Sequence, residues 1–194
     1  MTKEKIILIG GGGHCKSCID VIEQQDKFEI AGIVDIKNKI GEEILNYQII
    51  GCDDDLPEIL SEYKNCLITI GQLSSPDKRI ELYNRARSLN ALFPVIKSPS
   101  AYISEYAQVR EGTIVMHQAI INAGALVGKN CIINTKSLVE HDAIIEDHCH
   151  ISTASIVNGG VIVGERTFYG SGAVSKQYIK IAPNSFIKAN SIVK

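Results

Sequence analysis

Ile120-Ile121-Asn122-Ala123-Gly124-Ala125-Leu126-Val127-Gly128-Lys129-Asn130-Cys131-Ile132-Ile133 carries one pattern over and over. An aliphatic pair recurs every six residues, and a small residue, Ala125 or Cys131, stands four positions past each pair. The register extends in both directions without a slip: Ile103, Val109, Val115, Ile121, Val127, Ile133, Val139, Ile145, Ile151, Val157, Val163, Tyr169, Ser175, Ile181, Ile187, Val193. Fourteen of these sixteen positions are Ile or Val, so chance is a poor explanation. A period of six matches neither an amphipathic helix (3.6) nor an alternating strand (2). It is the mark of a parallel β-helix built from hexapeptides, with each aliphatic residue pointing into a narrow core and each small residue at a corner.

Working outward, the rest of the chain narrows the choices. The sequence has 194 residues, room for one or two domains. A hydrophobic fraction of 45% with 22% charged residues is ordinary for a globular protein. The net charge of -2 gives nucleic acid or an anionic membrane no electrostatic reason to bind. The apolar runs are too short to span a bilayer, and Ile6–Ile9 runs straight into glycines, so it reads as a strand and not a signal-peptide core. The six cysteines form no disulfide pattern. Cys131 and Cys149 occupy corner positions, where a thiol serves as a small apolar group. A cytoplasmic protein with reduced thiols is the expectation.

Residues 1–97 look different from the repeat, residues 98–194. Strands are expected over Lys5–Ile9, Phe28–Val34, Cys66–Ile70 and Leu92–Ile96, the last broken by Pro94 and therefore at an edge. Helices are expected over His14–Gln25 and Asp53–Glu62 and again after Ser75-Pro76. Alternation of strand and helix means a small parallel α/β domain, Rossmann-like, with Ser98-Pro99-Ser100 as the hinge to the β-helix. Gly10-Gly11-Gly12-Gly13-His14 between a strand and a helix is the setting of a phosphate cradle, and Asp35 ends the second strand, where nucleotide folds place a ribose-binding acid. The dinucleotide fingerprint fails, because its third glycine is replaced by Cys15 or Lys16 in either frame. A nucleotide or nucleotide-sugar fits this loop, a nicotinamide cofactor does not, and a ligand-free tight turn is the plain alternative. Cys15-Lys16-Ser17-Cys18 has redox spacing but falls in the first turns of a helix, where packing explains it.

Four of the five histidines lie in the repeat. Glu140-His141-Asp142 is the most loaded tripeptide: flanking acids can orient the ring and raise its basicity, as a general base needs. His141 is two residues past Val139, on the turn side, where packing does not require a histidine. A solvated surface histidine is the alternative. His150 takes a slot before Ile151 that Ile or Leu usually fills, which points to a specific contact. His117 and His148 read as surface residues. No metal site is expected, since the histidines lack a converging spacing.

This combination resembles the bacterial sugar O-/N-acetyltransferases of the sialic acid O-acetyltransferase group, and among them the UDP-4-amino-sugar N-acetyltransferases of bacillosamine-type pathways. The likeness rests on the glycine loop ending in His14, the acid after the second strand, uninterrupted hexapeptides with Asn134-Thr135 and Glu140-His141-Asp142, and His150-Ile151-Ser152. It implies a left-handed β-helix of three hexapeptides per coil, a homotrimer with sites between subunits, and a place in glycan biosynthesis. Acetyl-CoA would be the co-substrate and a nucleotide-sugar the acceptor. His141 would match the general base and Asp142 the acid that orients it. His150 would match a contact to the acetyl group, with Gly159, Gly170 and Ala189 as backbone contacts to CoA. Gly12, Gly13, His14 and Asp35 would match the nucleotide-sugar site. Cys15 and the longer segment Gln72-Leu73-Ser74-Ser75-Pro76 depart from the family pattern. Two rivals stand beside this expectation: O-acetylation of a sialic-acid-like sugar, and a non-catalytic trimeric scaffold that binds a sugar nucleotide.

Overall fold

The computed structural model describes residues 3–72 and 75–194. They form two compact units. The first holds the chain up to Gly71 together with Asp77–Pro94, and the second holds Gln72, Ser75, Pro76 and residues 95–194.

In the first unit, β1 (Glu4–Ile9), β2 (Phe28–Val34), β3 (Glu43–Ile44), β4 (Tyr47–Gly51) and β5 (Asn65–Ile68) make one sheet in the order β3-β4-β2-β1-β5. All neighbours are parallel except β3 and β4. Helices α1 (Gly13–Gln25), α2 (Leu56–Glu62) and α3 (Asp77–Ser88) pack on it. β1 lies between β2 and β5, and Ile6, Ile7, Leu8 and Ile9 are all inaccessible to solvent, which is why this strand is a continuous apolar run and does not alternate. The β3–β4 hairpin carries no such run and escaped the sequence pattern.

The second unit is a left-handed β-helix of two-residue strands. Each strand pairs in parallel with the one eighteen residues on, as Ile120 with Leu138 and Leu138 with Ile156, so three hexapeptides complete a coil. Three sheets result. Sheet I begins at Ile96–Lys97 and includes His150–Ile151; sheet II begins at Tyr102–Ile103; sheet III begins at Gln108–Val109. The second residue of each strand points inward, and Val115 through Tyr169 in the register are at most 1% exposed. Each such Ile or Val contributes about 1.5–3 kcal/mol by burial.

Two expectations need correction. Leu92–Ile96 is not an edge strand of the α/β domain. Leu92 makes one bridge with Asn65, and Pro94, lacking an N–H, carries no ladder further. Ile96–Lys97 instead pairs with Ile114–Val115 as the first rung of sheet I. The β-helix unit therefore begins at Val95, ahead of the expected boundary after residue 97, and Ser98 is a buried member of its first corner, with its N–H on the Val115 carbonyl, not a hinge. The corner cysteines are also more than apolar filler. Thr113, Cys131, Cys149 and Thr167 form a column between sheets III and I, and each donates its O–H or S–H to a carbonyl of the next coil, at 2.7, 3.2, 3.2 and 3.3 Å. Among the described residues no helix is long and apolar enough to cross a membrane.

Candidate active site

Glu140 to Ala143 form the corner between sheets II and III. The imidazole of His141 is about half exposed, and its Nδ1 lies 2.9 Å from Asp142 Oδ2. A carboxylate only accepts, so Nδ1 carries the proton and donates it, and the neutral ring keeps its lone pair on Nε2. Asp142 reaches this position from the left-handed region (φ 59°), which Asp tolerates better than most residues. Glu140 does something else: its Oε2 accepts from Asn122 Nδ2 at 2.9 Å and from the His141 backbone N–H at 3.2 Å. Of the two flanking acids, one sets the tautomer and the other ties the corner to the coil below.

The next coil supplies a floor. A Cβ on Gly159 would stand 2.6 Å from His141 Nε2, so the His141 ring can lie across the backbone only because residue 159 has no side chain. Gly160 (φ 66°) is likewise covered by the Tyr178 ring, whose Cδ1 would come within 2.3 Å of a Cβ there. Tyr178 itself is 71% exposed. Beneath this floor lie the two exceptions to the aliphatic register. Ser175 Oγ accepts the Asn158 N–H at 2.9 Å, Asn158 Nδ2 donates to the Ser175 carbonyl at 2.6 Å, and Tyr169 O–H donates to the Ile156 carbonyl at 3.0 Å. The polar residues that break the repeat thus hold the strand that leads into the Asn158-Gly159-Gly160 corner. Sequence reasoning passed over Tyr178, Ser175 and Asn158. Writing the chain in rows of eighteen would have found Tyr178, because Gly124, Asp142, Gly160 and Tyr178 then share a column.

His150 stands in sheet I and is only 6% exposed. Its Nδ1 lies 3.0 Å from the Gln72 carbonyl and its Nε2 3.0 Å from Asn134 Nδ2. The carbonyl forces a proton onto Nδ1, and Asn134 donates to Nε2. Phe168 meets the ring edge-on at 5.2 Å. Gly170 and Ala189 share the corner between sheets I and II, and a Cβ on Gly170 would stand 2.6 Å from Ala189 N, so the two backbones are in close approach. The expected site residues of the β-helix fall into two sets within one chain. His141, Asp142 and Gly159 share the corner between sheets II and III, which lies across the triangular section from sheet I. His150, Gly170 and Ala189 lie on sheet I and its following corner. His117 and His148 are not plain surface residues: Nδ1 of each meets a neighbour, Ser98 Oγ at 2.7 Å and Asn130 Nδ2 at 3.0 Å. Among the described residues no three His, Cys, Asp or Glu side chains converge as a metal site would require. A groove of about 380 Å³ on sheet III, lined by Arg110, Glu146, Asp147 and Glu165 among others, includes none of the expected residues.

The glycine loop belongs to the first unit. Gly12 is the N-cap of α1, and a Cβ on Gly12 or Gly13 would meet nothing within 4 Å, so open space faces the helix N-terminus. The first turn holds no acidic residue to oppose an anion. Asp35 closes on the loop, its Oδ2 accepting the Gly11 N–H at 3.1 Å. His14 begins α1, but its imidazole turns inward, with Nε2 buried. Burial, together with the positive charge of the buried Arg79, pushes its pKa down to about 4. What His14 can offer a ligand at this end of the helix is therefore its backbone and not its ring. Cys15 and Cys18 are fully buried, and burial raises Cys15 to about 11 and holds Cys18 well above the usual thiol range, the opposite of a reactive pair. Leu73 and Ser74 of the longer segment lie outside the described residues.

Residues 5–86 match the family described as PglD N-terminal domain. No curated protein sequence matches the chain. Among solved structures, a histidine variant of perosamine N-acetyltransferase from Caulobacter crescentus, in complex with CoA and GDP-perosamine, is 31% identical with a TM-score of 0.92, over 100% of this chain and 90% of that one. PerB from Caulobacter crescentus, in complex with the same two ligands, is 31% identical with a TM-score of 0.89 over the same shares. The acetyltransferase domain of PglB from Neisseria gonorrhoeae is 25% identical with a TM-score of 0.90, over 99% of this chain and 92% of that one.

Proposed function

The chain belongs to the bacterial sugar acetyltransferases of the bacillosamine and perosamine type, and from that membership we propose that it moves an acetyl group from acetyl-CoA to the amine of a UDP-linked 4-amino sugar. The observation that carries the chemistry is the His141–Asp142 pair. With the Nδ1 proton held by Asp142, the lone pair on Nε2 is left to act as the base. It takes a proton from the sugar nitrogen as that nitrogen bonds to the thioester carbonyl carbon. The C–S bond then breaks, and the same proton passes from His141 to the departing CoA sulfur. A base positioned in this way contributes about 10²–10⁴-fold. A scaffold without catalysis has no use for this tautomer over a bare floor.

The residues present suit acetyl-CoA. Gly159 leaves the base uncovered, and the Gly170–Ala189 approach exposes backbone that a thioester arm can follow. In this reading His150, with both ring nitrogens engaged, shapes that side of the cleft. Because the two sets lie on opposite sides of one β-helix, a site that uses both needs a second copy of the chain, and a homotrimer meets the need. Exposed apolar side chains on sheets II and III, among them Ile120 and Leu126, fit such packing. The nucleotide-sugar is placed on the loop of Gly12, Gly13, His14 and Asp35, its diphosphate at the α1 N-terminus. A cytoplasmic location goes with this reading, and no cysteine forms a disulfide among the described residues.

The ligand of the Caulobacter structures favours a second reading, in which the carrier is GDP. Thiol release from acetyl-CoA should be followed with UDP- and GDP-linked 4-amino sugars and with sialic-acid-type sugars. Release with the UDP-linked amine is expected; release with the GDP-linked amine alone moves the carrier to GDP. Release with the sialic-acid type alone moves the reaction to O-acetylation, and silence with all of them leaves the scaffold.

A further inference from the structure

We infer that the nucleotide site selects a ribonucleotide over its 2′-deoxy counterpart, and that Lys39 shares with Asp35 the reading of the ribose diol. The inference rests on the nucleotide-sugar reading above and adds to it a choice among carriers. Sugars linked to thymidine diphosphate would be refused; those linked to uridine or guanosine diphosphate would not.

The argument is a count of hydrogen-bonding capacity. A carboxylate offers about four lone-pair sites. Asp35 Oδ2 accepts from Gly11 N–H at 3.1 Å and from Lys39 Nζ at 3.1 Å, and Oδ1 accepts from Ile36 N–H at 2.8 Å. One site, on Oδ1, remains. In nucleotide folds the acid after the second strand takes the ribose hydroxyls itself. Asp35 has too little capacity left to accept both. Beside it, however, Lys39 holds three N–H donors and gives one to Asp35. The pair therefore presents one acceptor next to a cationic donor. A vicinal diol complements this: one hydroxyl donates to Oδ1, and the oxygen of the other accepts from Nζ.

Position supports the same assignment. The Gly11 N–H binds Asp35 directly, and Gly11 is the residue before the open N-terminal turn at Gly12 and Gly13. A diphosphate on that turn brings the adjacent ribose against Asp35 and Lys39. Lys39 is held there by local structure: it closes the single 3₁₀ turn Lys37–Lys39, four residues after Asp35. The Asp35 side chain is only 15% exposed, so an unfilled partner is costly. A 2′-deoxyribose brings a single hydroxyl and leaves half of the pair without its partner. Hydrogen bonds to charged groups of this kind correspond to about ten- to hundredfold in affinity.

Calorimetric titration of the full chain with UDP, 2′-deoxy-UDP, GDP and 2′-deoxy-GDP tests this. At least one ribonucleotide should bind about ten- to hundredfold more tightly than its deoxy form. In Lys39→Met the ribo form should weaken and the ratio should shrink to within about threefold, with a single cooperative unfolding transition retained to show that the variant is folded. Lys39→Arg, which keeps a cationic donor, should retain discrimination. Equal binding of ribo and deoxy forms by the unaltered chain overturns the inference, as does a Lys39→Met variant that keeps the full ratio. Failure of both UDP and GDP to bind is a different result: it overturns the nucleotide-sugar reading itself.

Discussion

His141 and His150 are nine residues apart, half a coil of the same β-helix, and have opposite surroundings. The corner histidine is about half exposed, and its Nδ1 partner is the residue next to it in the chain. The sheet histidine is sealed, and the residue that takes its Nδ1 proton lies 78 positions away. A corner of a β-helix projects backbone and side chains outward with little to cover them, whereas a sheet face can be roofed by another segment. A reactive group belongs on the first and a structural one on the second. In the proposed reading the same side chain serves as a base at a corner and as a buried support on a sheet face.

The contrast can be broken by substitution. His141→Ala should lower kcat/KM by about 10²–10⁴-fold while the unfolding midpoint stays put. A variant as active as the parent would end the proposal of a corner base. His150→Ala should show the reverse emphasis. It opens a hole beside Phe168 and takes partners from the Gln72 carbonyl and the Asn134 amide, a loss of about 3 kcal/mol in urea unfolding. If stability held and turnover collapsed, the sheet histidine would be the chemical one.

His14 sharpens the comparison in the other domain. Its pKa is about 4 in the folded chain against 6.5 when free, so between these values the unfolded chain binds a proton that the folded chain does not. Stability linked to this group is present at pH 7 and falls as pH drops through 6.5 toward 4. From pH 7 to pH 5 the parent should lose about 2 kcal/mol more than His14→Asn, measured by denaturant unfolding at both values. Equal losses would mean the ring is not held neutral. The smallest effect concerns the floor: Gly159→Ala pushes a methyl group against His141 Nε2, so kcat should fall about tenfold with stability nearly unchanged. An unaffected rate would show that the base does not need this floor.

Much of this was readable in advance where the causes are local. The β-helix register held from Ile103 to Val193 because each inward residue repeats at a spacing set by the coil itself. His141 and Asp142 were legible because they are neighbours, and their pairing needs no distant partner. The strand at Leu92–Ile96 misled because the apolar residues on either side of Pro94 read as one strand, while the ladder stops at Pro94 and Ile96–Lys97 pairs in the other unit. Tyr178, Ser175 and Asn158 were missed because they matter through residues about eighteen positions away.

By itself, the sequence determined the hexapeptide coil, the strand–glycine–helix start and the pairing of His141 with its neighbour Asp142, since each depends on spacings of a few residues. The tertiary structure alone decided that the His14 ring turns inward beside Arg79, that Gln72 covers His150, that Lys39 takes one of the lone-pair sites of Asp35, and that the expected site residues of the β-helix divide between two sides of one chain. Burial, tautomer and remaining hydrogen-bond capacity depend on what the folded chain brings alongside each group, and a linear pattern does not carry that information.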